Sequence, residues 1–106
     1  MVKVKVEPSR TYSTHDRKVR EVARGLEKQG YTVLADIRGR EKPNPVGSKK
    51  LKPDIVAIGH GRRIIVEVET PASLVVGKER LKTFARHVEQ KADTTLRVVV
   101  TKPRKT

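Results

Sequence analysis

Residues 54–70, DIVAIGHGRRIIVEVET, constrain the fold more than any other stretch of the chain: apolar runs at 55–58 and 64–66 stand on either side of His60 and Gly61. Short runs rich in β-branched residues and bounded by glycine are strands, because such side chains pack well on a pleated surface. The segments 54–59 and 63–70 are thus predicted as strands joined through His60 and Gly61. A two-residue turn there pairs Gly59 with Arg62 and, further along the ladder, Asp54 with Glu67. Directly opposed residues on antiparallel strands share a face, with Cβ atoms about 4.5–5.5 Å apart. Glu69 follows at period two and shares that face.

The flanking segments supply the other layers. Residues 2–6 alternate valine with lysine and read as a short edge strand, its lysines pointing outward to discourage pairing. After a polar stretch at 9–16, Val19, Val22, Ala23 and Leu26 follow helical spacing. Ser13 or Thr14 is the N-cap of this helix of about four turns, and Gly30 is its stop. Residues 31–37 read as a strand, 78–91 as a second amphipathic helix with Leu81, Phe84, Ala85 and Val88 on one stripe, and 96–101 as a last strand. A helix of that length before the last strand is a right-handed crossover between parallel strands, which covers one face of the sheet while the first helix covers the other. The expected architecture is α/β in three layers (α/β/α), with a mixed four- to five-stranded sheet around an αβββαβ core. One domain spans 1–106, with no internal repeat.

Twenty-five lysines and arginines against 12 acids give a formal net charge of +13. A domain so basic repels itself unless a polyanion is near, and DNA or RNA is the expected partner. The alternatives are a solubilising surface or the charge-rich surface of a thermophile, but there acids and bases rise together. Residues 38–52 concentrate the charge: Arg38, Arg40, Lys42, Lys49, Lys50 and Lys52 lie among two prolines and two glycines with one acid. This loop, Arg62, Arg63 and the tail 102–105 are candidate phosphate contacts. With only Tyr12, Tyr31 and Phe84 as aromatics, no stacking platform or base-reading helix is legible. The lack of cysteine leaves oxygen and imidazole as metal ligands, a set that suits Mg²⁺ or Mn²⁺. No apolar run reaches membrane-spanning length and the N-terminus does not read as a signal peptide, so a soluble cytoplasmic protein is expected.

Three acids on one face of apolar strands repel one another and resist desolvation unless positive charge sits among them. Either a metal or a basic side chain is there, or the three acids lie exposed at strand ends, paired with Lys52 or Arg63.

Pro53-Asp54 followed by Glu67-Val68-Glu69 resembles the PD-(D/E)xK signature of restriction-endonuclease-like nucleases. The thirteen residues from Asp54 to Glu67, and Gly47-Ser48-Lys49-Lys50 before the motif, are similar to archaeal Holliday-junction-resolvase-type domains, and the likeness in element order covers most of 15–101. The resemblance implies a divalent-metal site of Asp54, Glu67 and Glu69. Glu69 stands where the commoner motif has lysine, as in members with an ExE pattern, and the resemblance gives it the handling of the attacking water. It also implies a lysine displaced to the following helix, for which Lys78 is the candidate, the alternative being an ordinary surface lysine. Members often add a glutamate from the first helix. Glu21 lies about 200° from Val19, away from the core, whereas His15 lies within about 40° of it. His15 is either a metal ligand or phosphate contact in that glutamate's place, or an ordinary helix-start histidine. His60 and His87 are given no role. The expected function is a metal-dependent nuclease cleaving phosphodiester bonds of DNA, selective for structure over sequence, as a homodimer. The alternatives are a non-catalytic nucleic-acid-binding module that retains the fold and a structural RNA-binding protein, the latter leaving the acids unexplained.

Overall fold

The computed structural model describes residues 3–102, apart from the side chains of 10–12. In chain order it contains β1 (Val4–Tyr12), α1 (His15–Lys28), β2 (Thr32–Ala35), β3 (Ile55–Gly59), β4 (Arg62–Glu69), α2 (Pro71–Val76), α3 (Lys78–Glu89) and β5 (Thr94–Lys102). The five strands form one mixed sheet in the order β1-β5-β4-β3-β2. No helix among the described residues is long and apolar enough to cross a membrane.

The hairpin has the expected register, with Gly59 opposite Arg62 and Ile55 opposite Val66. His60 and Gly61 both have positive φ (52° and 72°), the backbone of a type I′ turn whose twist matches the strands it joins. Histidine tolerates that conformation here because Nε2 is 2.7 Å from the Gln29 carbonyl oxygen and the ring meets Tyr31 edge-on at 4.8 Å.

The helix after β4 returns the chain to β5 parallel to β4, as a crossover requires. β4 is therefore central and buried on both faces. Ile64, Val66 and Val68 join Val19, Ala23 and Leu26 of α1 in one core, while Ile65 joins Phe84 and Val88 of α3 in the other. Glu67 and Glu69 share the parity of Ile65 and so face the α3 layer.

Several boundaries differ from the sequence reading. β1 runs on through the polar residues to Tyr12, because parallel pairing with β5 extends past an irregularity between Pro8 and Tyr12. Val2 of the strand expected at 2–6 and residues 103–105 of the basic tail lie outside the described residues. The strand expected at 31–37 shortens to Thr32–Ala35, since Asp36 donates its N–H to the Asp54 carbonyl at 2.8 Å where the ladder ends. Residues 38–52 are irregular except for the Val46–Leu51 bridge around a turn at 47–50. α2 has no counterpart in the sequence reading, because six residues are too few to display a helical period.

Thr14 is the cap of α1, its side-chain oxygen accepting the Arg17 N–H at 3.3 Å. Thr14→Ala is expected to cost about 1 kcal/mol in urea unfolding, with an unchanged m-value.

Candidate functional site

Asp54, Glu67 and Glu69 line one open cleft of about 340 Å³, together with His15, Ser73 and Arg80. The hairpin locks the first two acids: the Asp54 N–H donates to Glu67 Oε2 at 2.8 Å, and the Val68 N–H donates to Asp54 Oδ2 at 2.8 Å. Glu67 is 1% exposed and Glu69 is buried beside it. Glu69 Oε2 accepts the Ser73 hydroxyl, and Ser73 in turn closes a capping box with Thr70 at the start of α2. Gly77 leaves room at the helix junction, where a Cβ would meet the Ser73 carbonyl oxygen at 2.8 Å.

Positive charge enters from both layers. Arg80 of α3 donates from Nε to Glu67 Oε1 at 2.7 Å, donates to the Lys52 carbonyl, and lies over the Phe84 ring at 5.1 Å. His15, the first residue of α1, brings Nε2 within 3.2 Å of Asp54 Oδ2. Burial, then the charge of Asp54, push the Glu67 carboxyl up to about 7 against the pull of the Asp54 N–H and Arg80. Its bond to Asp54 is the chief cause that lifts the His15 imidazole to about 9, so the ring is a cation at neutral pH. Three carboxyl groups thus face two cations, and once Glu67 is ionised negative charge is in excess.

Hard oxygen donors and unbalanced negative charge are what a divalent cation such as Mg²⁺ or Mn²⁺ requires. Asp54 Oδ1 and Glu69 Oε1 have no hydrogen-bond partner among the described residues. Yet no three acid or histidine side chains among those residues are gathered closely enough to hold an ion. Arg80 meanwhile occupies Glu67 Oε1. The residue set fits a hard cation by donor chemistry and charge, provided the guanidinium gives way.

The other candidates are dispersed. Lys78 does not reach the acids: it borders an apolar hollow with Val4, Val6 and Leu81, because its flank of α3 faces β1. Arg62 and Arg63 begin β4, about 20 Å of strand from Glu69. Arg62 donates from Nε to the Tyr31 hydroxyl at 2.7 Å. In the loop, Arg38, Lys49, Lys50 and Lys52 are exposed, Arg40 pairs with Glu27 at 2.7 Å, and Lys42 reaches the Ile37 carbonyl oxygen at 3.4 Å. Glu21 is exposed and pairs with Lys18 at 2.6 Å.

Sequence reasoning missed Arg80 and Ser73. Both left a signal: Arg80 stands four residues before Phe84, on the flank of the buried stripe, and Thr70-Pro71-x-Ser73 has the pattern of a capped helix start.

No curated protein matches the chain. The family described as REase_AHJR-like matches residues 8–106, which include every residue of the cleft. Families of this class suggest nuclease activity, imply a nucleic-acid substrate and typically use divalent metals. The chain belongs to the AHJR-like family of the PD-(D/E)xK, restriction-endonuclease-like superfamily.

Proposed function

We propose that the protein is a metal-dependent nuclease that cleaves phosphodiester bonds of DNA, selecting its substrate by structure and not by base sequence. The observation that carries this reading is the pair of hydrogen bonds that interlocks Asp54 and Glu67 across the hairpin, with Glu69 beside them in the same cleft. Asp54, Glu67 and Glu69 would hold Mg²⁺ or Mn²⁺. When bound, the cation supplies Lewis-acid polarisation of the phosphodiester and a lowered pKa for a nearby water.

The chain's own groups do the rest. Glu69 orients the attacking water and takes its proton as the water oxygen attacks phosphorus and the ester oxygen leaves. Ser73 fixes the Glu69 carboxylate through its hydroxyl. His15, at the cleft mouth 3.2 Å from Asp54 Oδ2, serves as a phosphate contact. Arg80, freed from Glu67, is the cation available to the scissile phosphate in place of the motif's lysine. Lys49, Lys50 and Lys52 contribute charge from the loop that borders α3. Cutting both strands of a duplex needs two clefts, which a homodimer in the cytoplasm would supply.

The test is incubation of plasmid, single-stranded and branched DNA with Mg²⁺, Mn²⁺ or EDTA. Metal-dependent cleavage is expected, with branched DNA preferred. Glu69→Gln should lower the rate by about 10²-fold or more while leaving DNA affinity equal or higher, since a negative charge near the phosphates has gone. Cleavage that survives intact in Glu69→Gln would transfer the water-handling role elsewhere. The seating of Arg80 on Glu67 favours a second reading, a binding module that keeps the fold without the chemistry. Under that reading the wild type binds DNA and cuts nothing with any metal.

A further inference from the structure

The solvent face of α1 carries charge that the cleft does not use. At 100° per residue, Arg17, Arg20, Arg24 and Lys28 fall within about 80° of one another, on the side away from the buried Val19, Ala23 and Leu26. They border an open groove of about 700 Å³ that begins at Ser13. None of the four makes an ion pair among the described residues. The acids nearby are already engaged: Glu21 with Lys18 at 2.6 Å, and Glu27 with Arg40 at 2.7 Å. Gly25 keeps the groove's side open, with nothing within 4 Å of where a Cβ would stand. Glycine inside a helix is unfavourable, and here it gains no packing contact in return.

The N-terminal end of α1 stands beside the cleft, since His15 reaches Asp54 at 3.2 Å. The stripe lies about 160° round the helix from His15, so it runs from that end along the outer face of α1. From Arg17 to Lys28 it runs about 16 Å, the length over which one strand of duplex DNA presents about five phosphates. The Gly47 end of the basic loop, which carries Lys49, Lys50 and Lys52, lies in the other layer, where a Cβ at Gly47 would touch Thr83 of α3 at 3.3 Å, whereas Arg40 pairs with Glu27 of α1. The two charged surfaces therefore flank the sheet from opposite sides.

We propose that Arg17, Arg20, Arg24 and Lys28 form a phosphate-binding track, distinct from the lysines of the loop, that holds one strand of duplex DNA along the outer face of α1, its first residue at the helix end that borders the cleft. The track rests on the nuclease reading only for what lies at its end.

The test is the affinity for labelled duplex DNA in EDTA, where nothing is cut, as a function of salt. Replacing all four residues by glutamine should flatten the slope of log K against log salt by about 2 to 4, at about 0.9 per phosphate lost, and weaken binding at least about tenfold. Arg17→Lys with Arg20→Lys and Arg24→Lys should keep the wild-type slope, because the charge is retained. Should the fourfold variant fail to fold by circular dichroism, Arg20→Gln and Arg24→Gln singly should each flatten the slope by about 0.9. An unchanged slope and affinity in the glutamine variants would overturn the track. A slope that flattens while the wild type cuts no DNA with Mn²⁺ would leave the track standing and remove the nuclease reading.

Discussion

Glu67→Gln and Asp54→Asn are each expected to reduce metal-dependent cleavage by at least about 10³-fold, with duplex affinity held or improved. Either change removes one of the two interlocked carboxylates on which cation binding depends. The fold should survive, because glutamine keeps an acceptor for the Asp54 N–H and asparagine keeps one for the Val68 N–H. Single-turnover cleavage measured beside DNA binding separates the two effects. Cleavage within tenfold of wild type in both variants would mean that the acids of the cleft do not perform the chemistry.

The second large effect is on stability against pH. Glu67 has its carboxyl raised from 4.5 to about 7, so the folded form keeps a proton that the unfolded chain has lost. That stabilisation is complete below about pH 4.5 and disappears as pH rises through 7, an effect of up to about 3 kcal/mol. His15, raised from 6.5 to about 9, acts in the same sense and is lost by pH 9. Its side chain is 42% exposed, and screening reduces its share to about 1 kcal/mol. The metal-free protein is therefore expected to lose stability from about pH 4.5 to 9, through Glu67 first and His15 after it. Saturating Mn²⁺ should oppose the loss, by about 2.7 kcal/mol at a hundredfold excess over Kd. Urea titrations at several pH values, with EDTA and with Mn²⁺, measure both. Glu67→Gln should flatten the fall below about pH 7, and His15→Asn the fall above it. A flat wild-type profile in EDTA would show that neither group carries the charge imbalance assigned to it.

Much of this site was legible because the hairpin is strongly specified. A two-residue turn fixes the register, a one-residue slip would turn Ile64, Val66 and Val68 to the wrong face, and so Asp54 had to meet Glu67. The helix stripes were legible for the same reason, each having one apolar face to bury. Which flank of α3 faces which strand was not legible. Lys78 and Arg80 lie on opposite flanks of the Leu81–Phe84–Ala85–Val88 stripe, and only the strand order, with β1 outside β5, sends Lys78 toward β1 and Arg80 toward β4. Arg80 was also easy to pass over because a charged side chain on a helix ordinarily reaches solvent. Arg62 and Arg63, the candidate phosphate contacts of the hairpin, stand at the opposite end of β4 from Glu69, because the length of the strand separates them.

The seat of Arg80 is where the account is most exposed, because the guanidinium and a divalent cation compete for the same Glu67 oxygen. Crystals of the wild-type protein grown with Mn²⁺ and measured near the manganese edge would decide between them. The expected result is an anomalous peak bonded to Asp54 and Glu67, with Arg80 withdrawn from Glu67. A cleft with no peak and Arg80 still on Glu67, at a Mn²⁺ concentration that supports any cleavage seen in solution, would contradict it.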